Sequence, residues 1–313
     1  MYNIWKLFRP CNPLIPPQRG LNLQHIQKLS SNILPKDPRF KISQMTLEQL
    51  KKVIPWANDA GWFFCKGDAE IYFKSDARGL FVGEIDGEPI CSYGVFTYGE
   101  YSFLTLHIVK EEYQGKGYGI LIERCAIDYT KDSKTICLDA ADHFIPRYKN
   151  LGYKQLCEIK TFTRKAMGIM GPNLVNLKEI PIDQLAEFDE RNFGYPRKHY
   201  LQATLEQETN YGLGVIKDGQ LKGFGIIKKL EGGTGYSLSP LTAEDKETAK
   251  EIFSGLQSYI VGEDITTEIC VDNSDAIKIM EEQGWEQMTS YIRIYDGEKP
   301  KTKLTTLYSM CSY

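Results

Sequence analysis

The chain predicts an α/β (α+β) protein made of two tandem copies of one unit, each a mixed, mostly antiparallel twisted sheet flanked by helices. Three observations carry this expectation. Of 313 residues, 42% are hydrophobic and 25% charged, the balance of a globular protein long enough for two domains. Features also recur at one spacing: the hairpin signal Asp86-Gly87 in FVGEIDGEPICSYGVF returns 132 residues on as Asp218-Gly219 in VIKDGQLKGFGII, and Gly152 before an aromatic in KNLGYKQL returns at the same spacing as Gly284 in EEQGWEQM. Finally, each copy places hairpin strands first and a strand-helix-strand unit later, which requires both parallel and antiparallel neighbours.

The elements follow in order. Residues 1–40 are proline-rich and read as an N-terminal extension outside both copies. Copy one, residues 41–168, begins with a strand at 41–45 and a helix at 46–60, which Thr46 and Gln49 cap as T-x-x-Q. A second helix lies near 67–75, then strands at 79–85, 88–98 and 101–109. A glycine loop leads into helix 117–131, strand 134–139, helix 143–151 and strand 153–163. The join falls near GIMGPN, about residue 170. Copy two, residues 172–313, repeats the order: helices near 182–193 and 197–207, three strands from 211 to 238, helix 243–259, strand 265–271, helix 273–283 and strands to the end.

Composition excludes several classes of function. Thirty-eight Lys and Arg against 41 Asp and Glu give net charge −3, and no basic run could neutralise a row of phosphates, so nucleic acid is not expected as a partner. No apolar stretch reaches membrane-span length, and Lys6, Arg9 and the prolines interrupt the N-terminus, so neither an anchor nor a standard signal peptide is expected. The eight cysteines contain no C-x-x-C pair and sit largely in apolar stretches such as TICLDA, as reduced thiols of a cytoplasmic protein would. The four histidines are scattered, and no metal site is expected.

Chemistry concentrates in FLTLHIVKEEYQGKGYGILIERCAIDY, where an apolar strand enters Gln114-Gly115-Lys116-Gly117-Tyr118-Gly119 and then an amphipathic helix. Free amides and the positive dipole end at such a helix start make an anion site. The alternative is plain helix-start geometry. Neither the dinucleotide fingerprint, which would need glycine where Ile120 stands, nor the G-x-x-x-x-G-K-[ST] phosphate loop is present.

QGKGYG after LHIV resembles the [QR]-x-x-G-x-[GA] acetyl-CoA signature of the GCN5-related N-acetyltransferase (GNAT) superfamily, with Gln114, Gly117 and Gly119 in the defining positions. PRYKNLGY resembles the same family's later segment, with Tyr148 four residues before Gly152-Tyr153. W-A-x-x-x-G-W at Trp56 to Trp62 and F-G-Y-P-R at Phe193 to Arg197 resemble a two-domain subgroup whose second copy is degenerate. The resemblance implies acetyl-CoA as donor and direct attack by a primary amine, of small molecule or protein, in a ternary complex.

It also implies site residues. Amides of Gln114, Gly115, Lys116, Gly117, Tyr118 and Gly119 would hold the pyrophosphate, and the backbone of Ile108 and Val109 would pair with the pantetheine. Tyr148 resembles the family's general acid; a half-buried packing residue is its alternative. For the general base, strand alternation puts Phe103, Thr105 and His107 on one face and offers His107, with Asp139 as a second candidate. Trp62, Phe63 and Phe64 would wall the acceptor site or form a hydrophobic latch.

Slid by 132 residues, copy two sets Lys246 to Glu251 against the glycine loop and Met280 against Tyr148, so it reads as a scaffold without cofactor. The rival to the enzyme is a non-catalytic acyl-CoA-binding or protein-interaction module, and a third reading is a nucleotide-binding module.

Overall fold

A computed structural model describes residues 37–311; all but the last four residues of the expected extension, with Cys11 and His25, lie outside the described residues. Copy one contains β1 (Phe40–Gln44), α1 (Leu47–Asp59), α2 (Asp68–Asp76), β2 (Leu80–Ile85), β3 (Glu88–Tyr98), β4 (Tyr101–Val109), α3 (Tyr118–Tyr129), β5 (Thr135–Ala140), α4 (Ile145–Asn150) and β6 (Lys154–Lys165). Copy two adds β7 (Leu174–Asn176), α5 (Ile182–Phe193), α6 (Lys198–Leu205), β8 (Tyr211–Lys217), β9 (Gln220–Lys229) and β10 (Tyr236–Ala243). It ends with α7 (Lys246–Ser258), β11 (Asp264–Cys270), α8 (Ser274–Glu282), β12 (Glu286–Gly297) and β13 (Leu307–Ser309).

Local chemistry explains the boundaries. The Thr46 side chain accepts from the Gln49 N–H while the Gln49 side chain accepts from the Thr46 N–H, closing the capping box at the start of α1. Both hairpins turn through an Asp-Gly pair with positive φ at each residue, +53° and +81° at Asp86-Gly87 and +52° and +74° at Asp218-Gly219. That backbone matches the twist of the strands it joins.

The thirteen strands of the described residues form one sheet, in the order β1-β2-β3-β4-β5-β12-β6-β11-β10-β9-β8-β7, with β13 on β10. The sequence predicts a separate sheet for each copy; the structure instead exchanges a strand between them. Strand β12 pairs with β5 of copy one, and β6 pairs with β11 of copy two. The two exchanged strands are antiparallel neighbours, and Tyr291 faces Ile159 where a pseudo-two-fold would pass. Periodicity fixes which faces of a strand are buried but not which edge it joins, so nothing in the residue pattern distinguishes exchange from self-pairing.

Helices complete three layers. Leu50, Val53 and Tyr72 of copy one share a single buried cluster with Phe188 and Tyr200 of copy two. On copy one, Ile122 and Ala126 of α3 pack with Tyr93, Leu104 and Leu138. Ile252, Phe253, Ile279 and Met280 do the same for copy two. A buried ion pair, Lys228 Nζ to Asp68 Oδ1 at 3.3 Å, joins β9 to the start of α2.

Candidate active site

Parallel strands β4 and β5 pair only from Tyr101 opposite Thr135 to Leu104 opposite Leu138. Beyond that they diverge, and β4 runs on to Val109 with no strand of the described residues on that edge. A bulge lies at the point of divergence: Leu106 has φ +52°, the β3 register shifts between Ser92 and Gly94, and the Ser92 hydroxyl donates to the Leu106 carbonyl at 2.7 Å.

The bulge overturns the expectation that Phe103, Thr105 and His107 share one face. Phe103 and Leu106 join the cluster under α1 and α2, whereas His107 turns to the α3 side, its ring 4.5 Å from that of Tyr93. His107 Nε2 lies 3.3 Å from the Gly119 carbonyl. A carbonyl only accepts, so Nε2 carries the proton and Nδ1 keeps its lone pair. Burial is the main cause holding the imidazole below its ordinary pKa; the Glu123 charge opposes this and Arg147 adds to it.

The glycine loop caps the open edge. Lys110 donates its N–H to Ile90 on β3, so the Val109 carbonyl points the other way, into the cleft, where Gln114 Nε2 donates to it at 2.9 Å. That acceptor is therefore taken, and the Val109 N–H, on the same side of an extended residue, is the backbone donor facing the cleft. Gly117, the N-cap of α3, has φ +87° and supplies no side-chain cap, so the helix starts with bare amides. Gly119 is closely packed: a Cβ there would come within 3.2 Å of Val109 and 3.3 Å of His107, so a neighbouring side chain would have to give way. Gly115 lies in open space. The Lys116 ammonium bonds the Glu112 carbonyl at 2.6 Å, and Tyr118 buries its ring against Phe40 at 4.7 Å. Tyr118 therefore contributes backbone rather than side chain to the loop's surface, whereas Lys116 stays exposed.

Tyr148 faces the same layer from α4. Its ring packs edge-on to Tyr153 at 5.4 Å, with the Arg147 guanidinium 5.8 Å from its centre. Burial first, then the Glu123 charge, pushes the phenol up to about 12, with Arg147 opposing. Asp139 instead belongs to the face of Phe103, and both its oxygens are held by Arg293, Nε at 2.7 Å and Nη2 at 2.8 Å. The aromatic run divides. Phe64 is buried, and its carbonyl accepts from the N–H of Glu231 in copy two at 2.8 Å; Trp62 is half-buried and Phe63 stays exposed.

Copy two carries the same framework with its open groups satisfied. Helix α7 begins at Lys246 with Asp245 as N-cap. Helix starts therefore match at a spacing of 128 residues, not 132, and set Asp245 against Gly117 and Glu247 against Gly119. The glycines are still lost, at different positions from those the fixed spacing implied. The Asp245 carboxylate accepts from the Thr248 N–H at 2.7 Å and its hydroxyl at 3.1 Å. Partial burial works against its charge, but these bonds and Lys217 hold the carboxyl below its ordinary range.

The cleft of copy two is filled as well. Strands β10 and β11 pair from Tyr236 to Leu238, and past that point β13 takes the edge of β10, with Ser309 opposite Leu241 and Leu307 opposite Thr242. Met310 donates its N–H to the Glu268 carbonyl at 2.7 Å. Met280 is buried where Tyr148 stands in copy one.

Sequence reasoning missed Arg293, the bulge and β13. Arg293 lies in SYIRIYDG, an ordinary alternating strand, and only the strand exchange brings it to copy one. Among the described residues no group of His, Cys, Asp and Glu is arranged to hold a metal, and no helix is long and apolar enough to cross a membrane.

Comparison with known proteins agrees with this architecture. The family model described as "Acetyltransferase (GNAT) domain" matches residues 185–309. The chain is 26% identical over 276 residues to the holothin acyltransferase of Pseudoalteromonas sp. (strain SANK 73390), covering 85% of this chain and 91% of that protein. A crystal structure from Pyrococcus horikoshii superposes with a TM-score of 0.72 at 20% identity, covering 88% of this chain and 95% of that one. A tandem GNAT protein from the clavulanic acid biosynthesis pathway superposes at 0.59 with 12% identity, covering 82% and 98%. The family match falls on the very copy whose glycines and tyrosine are gone, and with the likeness to an acyltransferase over most of the chain and to a tandem GNAT fold it supports a two-domain protein of the GNAT superfamily.

Proposed function

We propose that the protein transfers an acetyl group from acetyl-CoA to a primary amine, at one centre in copy one, by direct attack in a ternary complex. The observation that carries the reading is the contrast between the clefts: the chain's own β13 occupies in copy two the edge that copy one leaves open. An extended backbone fits that edge, and the pantetheine arm is an extended, amide-bearing chain. Phosphates would meet the bare amides at the start of α3, and the Val109 N–H would meet a pantetheine carbonyl.

The two faces of β4 divide the work. On the α3 side, Tyr148 donates its proton to the sulfur as the C–S bond breaks and the electron pair passes to the leaving thiolate. The burial that raises the phenol also raises the proton affinity of that thiolate, so the two stay matched. His107 braces β4 against α3 through the Gly119 carbonyl. On the opposite face the amine enters past Trp62 and Phe63, and Asp139 accepts the proton that the amine must lose. Each of its oxygens keeps a lone pair beyond the bond to Arg293. Because the bulge turns His107 away from this face, Asp139 takes precedence as base.

Calorimetric titration with acetyl-CoA, followed by thiol release with a panel of primary amines, tests the proposal. One equivalent bound and thiol released with at least one amine are expected. Two equivalents, or binding with no turnover of any amine, would refute the single catalytic centre; the latter result is that of the non-catalytic binding module.

A further inference from the structure

Arg293 belongs to copy two by sequence but to copy one by position. It sits on the exchanged strand β12, in register with Asp139 on β5. Its Nε and Nη2 take the two carboxylate oxygens, its Nη1 donates to the Cys311 carbonyl at 3.2 Å, and its guanidinium lies 5.1 Å from the ring centre of Phe103. All three nitrogens are thus committed and the fork cannot swing. The pair is also lopsided: the Arg293 side chain is 4% exposed and that of Asp139 18%, so the cation lies behind and the carboxylate forward.

The molecule contains its own control. Registers of β5 with β12 and of β11 with β6 set Asp139 and Glu268 at matching places, and opposite Glu268 stands Thr161 in place of an arginine. The Thr161 hydroxyl is buried without a partner. Burial first, then the charge of Asp139, pushes the Glu268 carboxyl up to about 7. A pair needed only to lock the exchanged strands would be expected at both places. It occurs only beside the cleft that is open.

We infer that Arg293, supplied by copy two, is a positioning residue for the reaction of copy one, holding the Asp139 carboxylate aimed at the amine acceptor. The inference rests on the reading of copy one as the acyl-transfer centre. It gives copy two a part in the chemistry without a ligand of its own.

The test uses the full chain, acetyl-CoA and the best acceptor of the amine panel. Tyr101, Cys137, Cys157, Tyr291 and Glu268 also sense the Asp139 charge, and among these groups and Arg293 only the arginine is cationic. Arg293→Gln should lower kcat/KM for the amine by about 10- to 100-fold and leave the Kd of acetyl-CoA within about twofold. Arg293→Lys, which keeps the charge but not the fork, should recover part of that loss.

An unchanged kcat/KM for the amine in a folded Arg293→Gln variant would overturn the inference. So would a loss of acetyl-CoA affinity in step with a fall in melting temperature, the mark of a merely structural pair. Should Arg293→Gln fail to fold, Arg293→Lys and Asp139→Asn decide: a partial loss of amine turnover in the first and a deeper loss in the second, with acetyl-CoA affinity kept in both, support the inference, and unchanged turnover rejects it. A wild-type chain that does not bind acetyl-CoA refutes the reading of copy one itself, a distinguishable failure.

Discussion

The starts of α3 and α7 are the same turn of the same fold put to opposite ends. At α3 the N-cap is Gly117 and the first amides carry no side-chain cap; at α7 Asp245 bonds the Thr248 N–H and hydroxyl. The clefts differ in the same sense, for β4 leaves its edge bare where β10 has β13. Copy two meets the corresponding polar groups internally, with one carboxylate and one three-residue strand. Polar groups left unmet in a folded chain cost stability, and the two copies differ in that respect.

The largest expected effect comes from giving α3 the residue that starts α7. Gly117→Asp should weaken acetyl-CoA binding more than about 100-fold, because a carboxylate would stand where phosphate must approach a helix N-terminus. Calorimetry on the folded variant checks this, and unchanged affinity would break the comparison at its root. Tyr148→Phe should lower turnover by on the order of 100-fold while acetyl-CoA affinity persists, the scale for losing a general acid. Steady-state turnover equal to wild type would place the proton donor elsewhere.

A third, smaller effect separates the paired carboxylates. Glu268 ionises in the fold only near pH 7, well above its value in the unfolded chain, so it favours the folded state at low pH and the benefit fades as pH rises from about 4.5 to 7. Glu268→Gln should therefore stabilise the protein by about 1–3 kcal/mol at pH 8 and by nothing at pH 4. Denaturant melts at the two pH values measure it, and an equal gain at both would argue against a titrating Glu268. The smallest effect is that of Asp245→Ala, about 1 kcal/mol of stability for a lost cap. Acetyl-CoA stoichiometry should remain at one per chain, since β13 still fills the second cleft; a second equivalent would show that the cap alone closed it.

Much of this was legible in the sequence, for reasons that also mark its limit. Local signals sufficed for the elements: T-x-x-Q at Thr46, Asp-Gly at both hairpins and glycines at the start of α3 each act within a few residues. The asymmetry of the copies was legible too, because lost glycines and Met280 need no geometry to interpret. Three features were not. Leu106 adopts a positive φ without being glycine, so the bulge that turns His107 leaves no mark in FLTLHIV. The partners of β6 and β12 depend on edges hundreds of atoms away. The short β7 and β13, three residues each, carry no periodicity to detect.

The exchanged strand also sets a timetable. Strand β5 is complete at Ala140, but the edge it offers stays unpaired until β12 has been made, about 150 residues later. At synthesis rates of roughly 5–20 residues per second, that edge waits for about 10–30 s on the ribosome. A nascent copy one is for that interval an open sheet, the kind of surface on which chains join wrongly or recruit chaperones. The last strand but one to emerge is thus the one that closes the first half, and this chain cannot finish folding from its N-terminus forward.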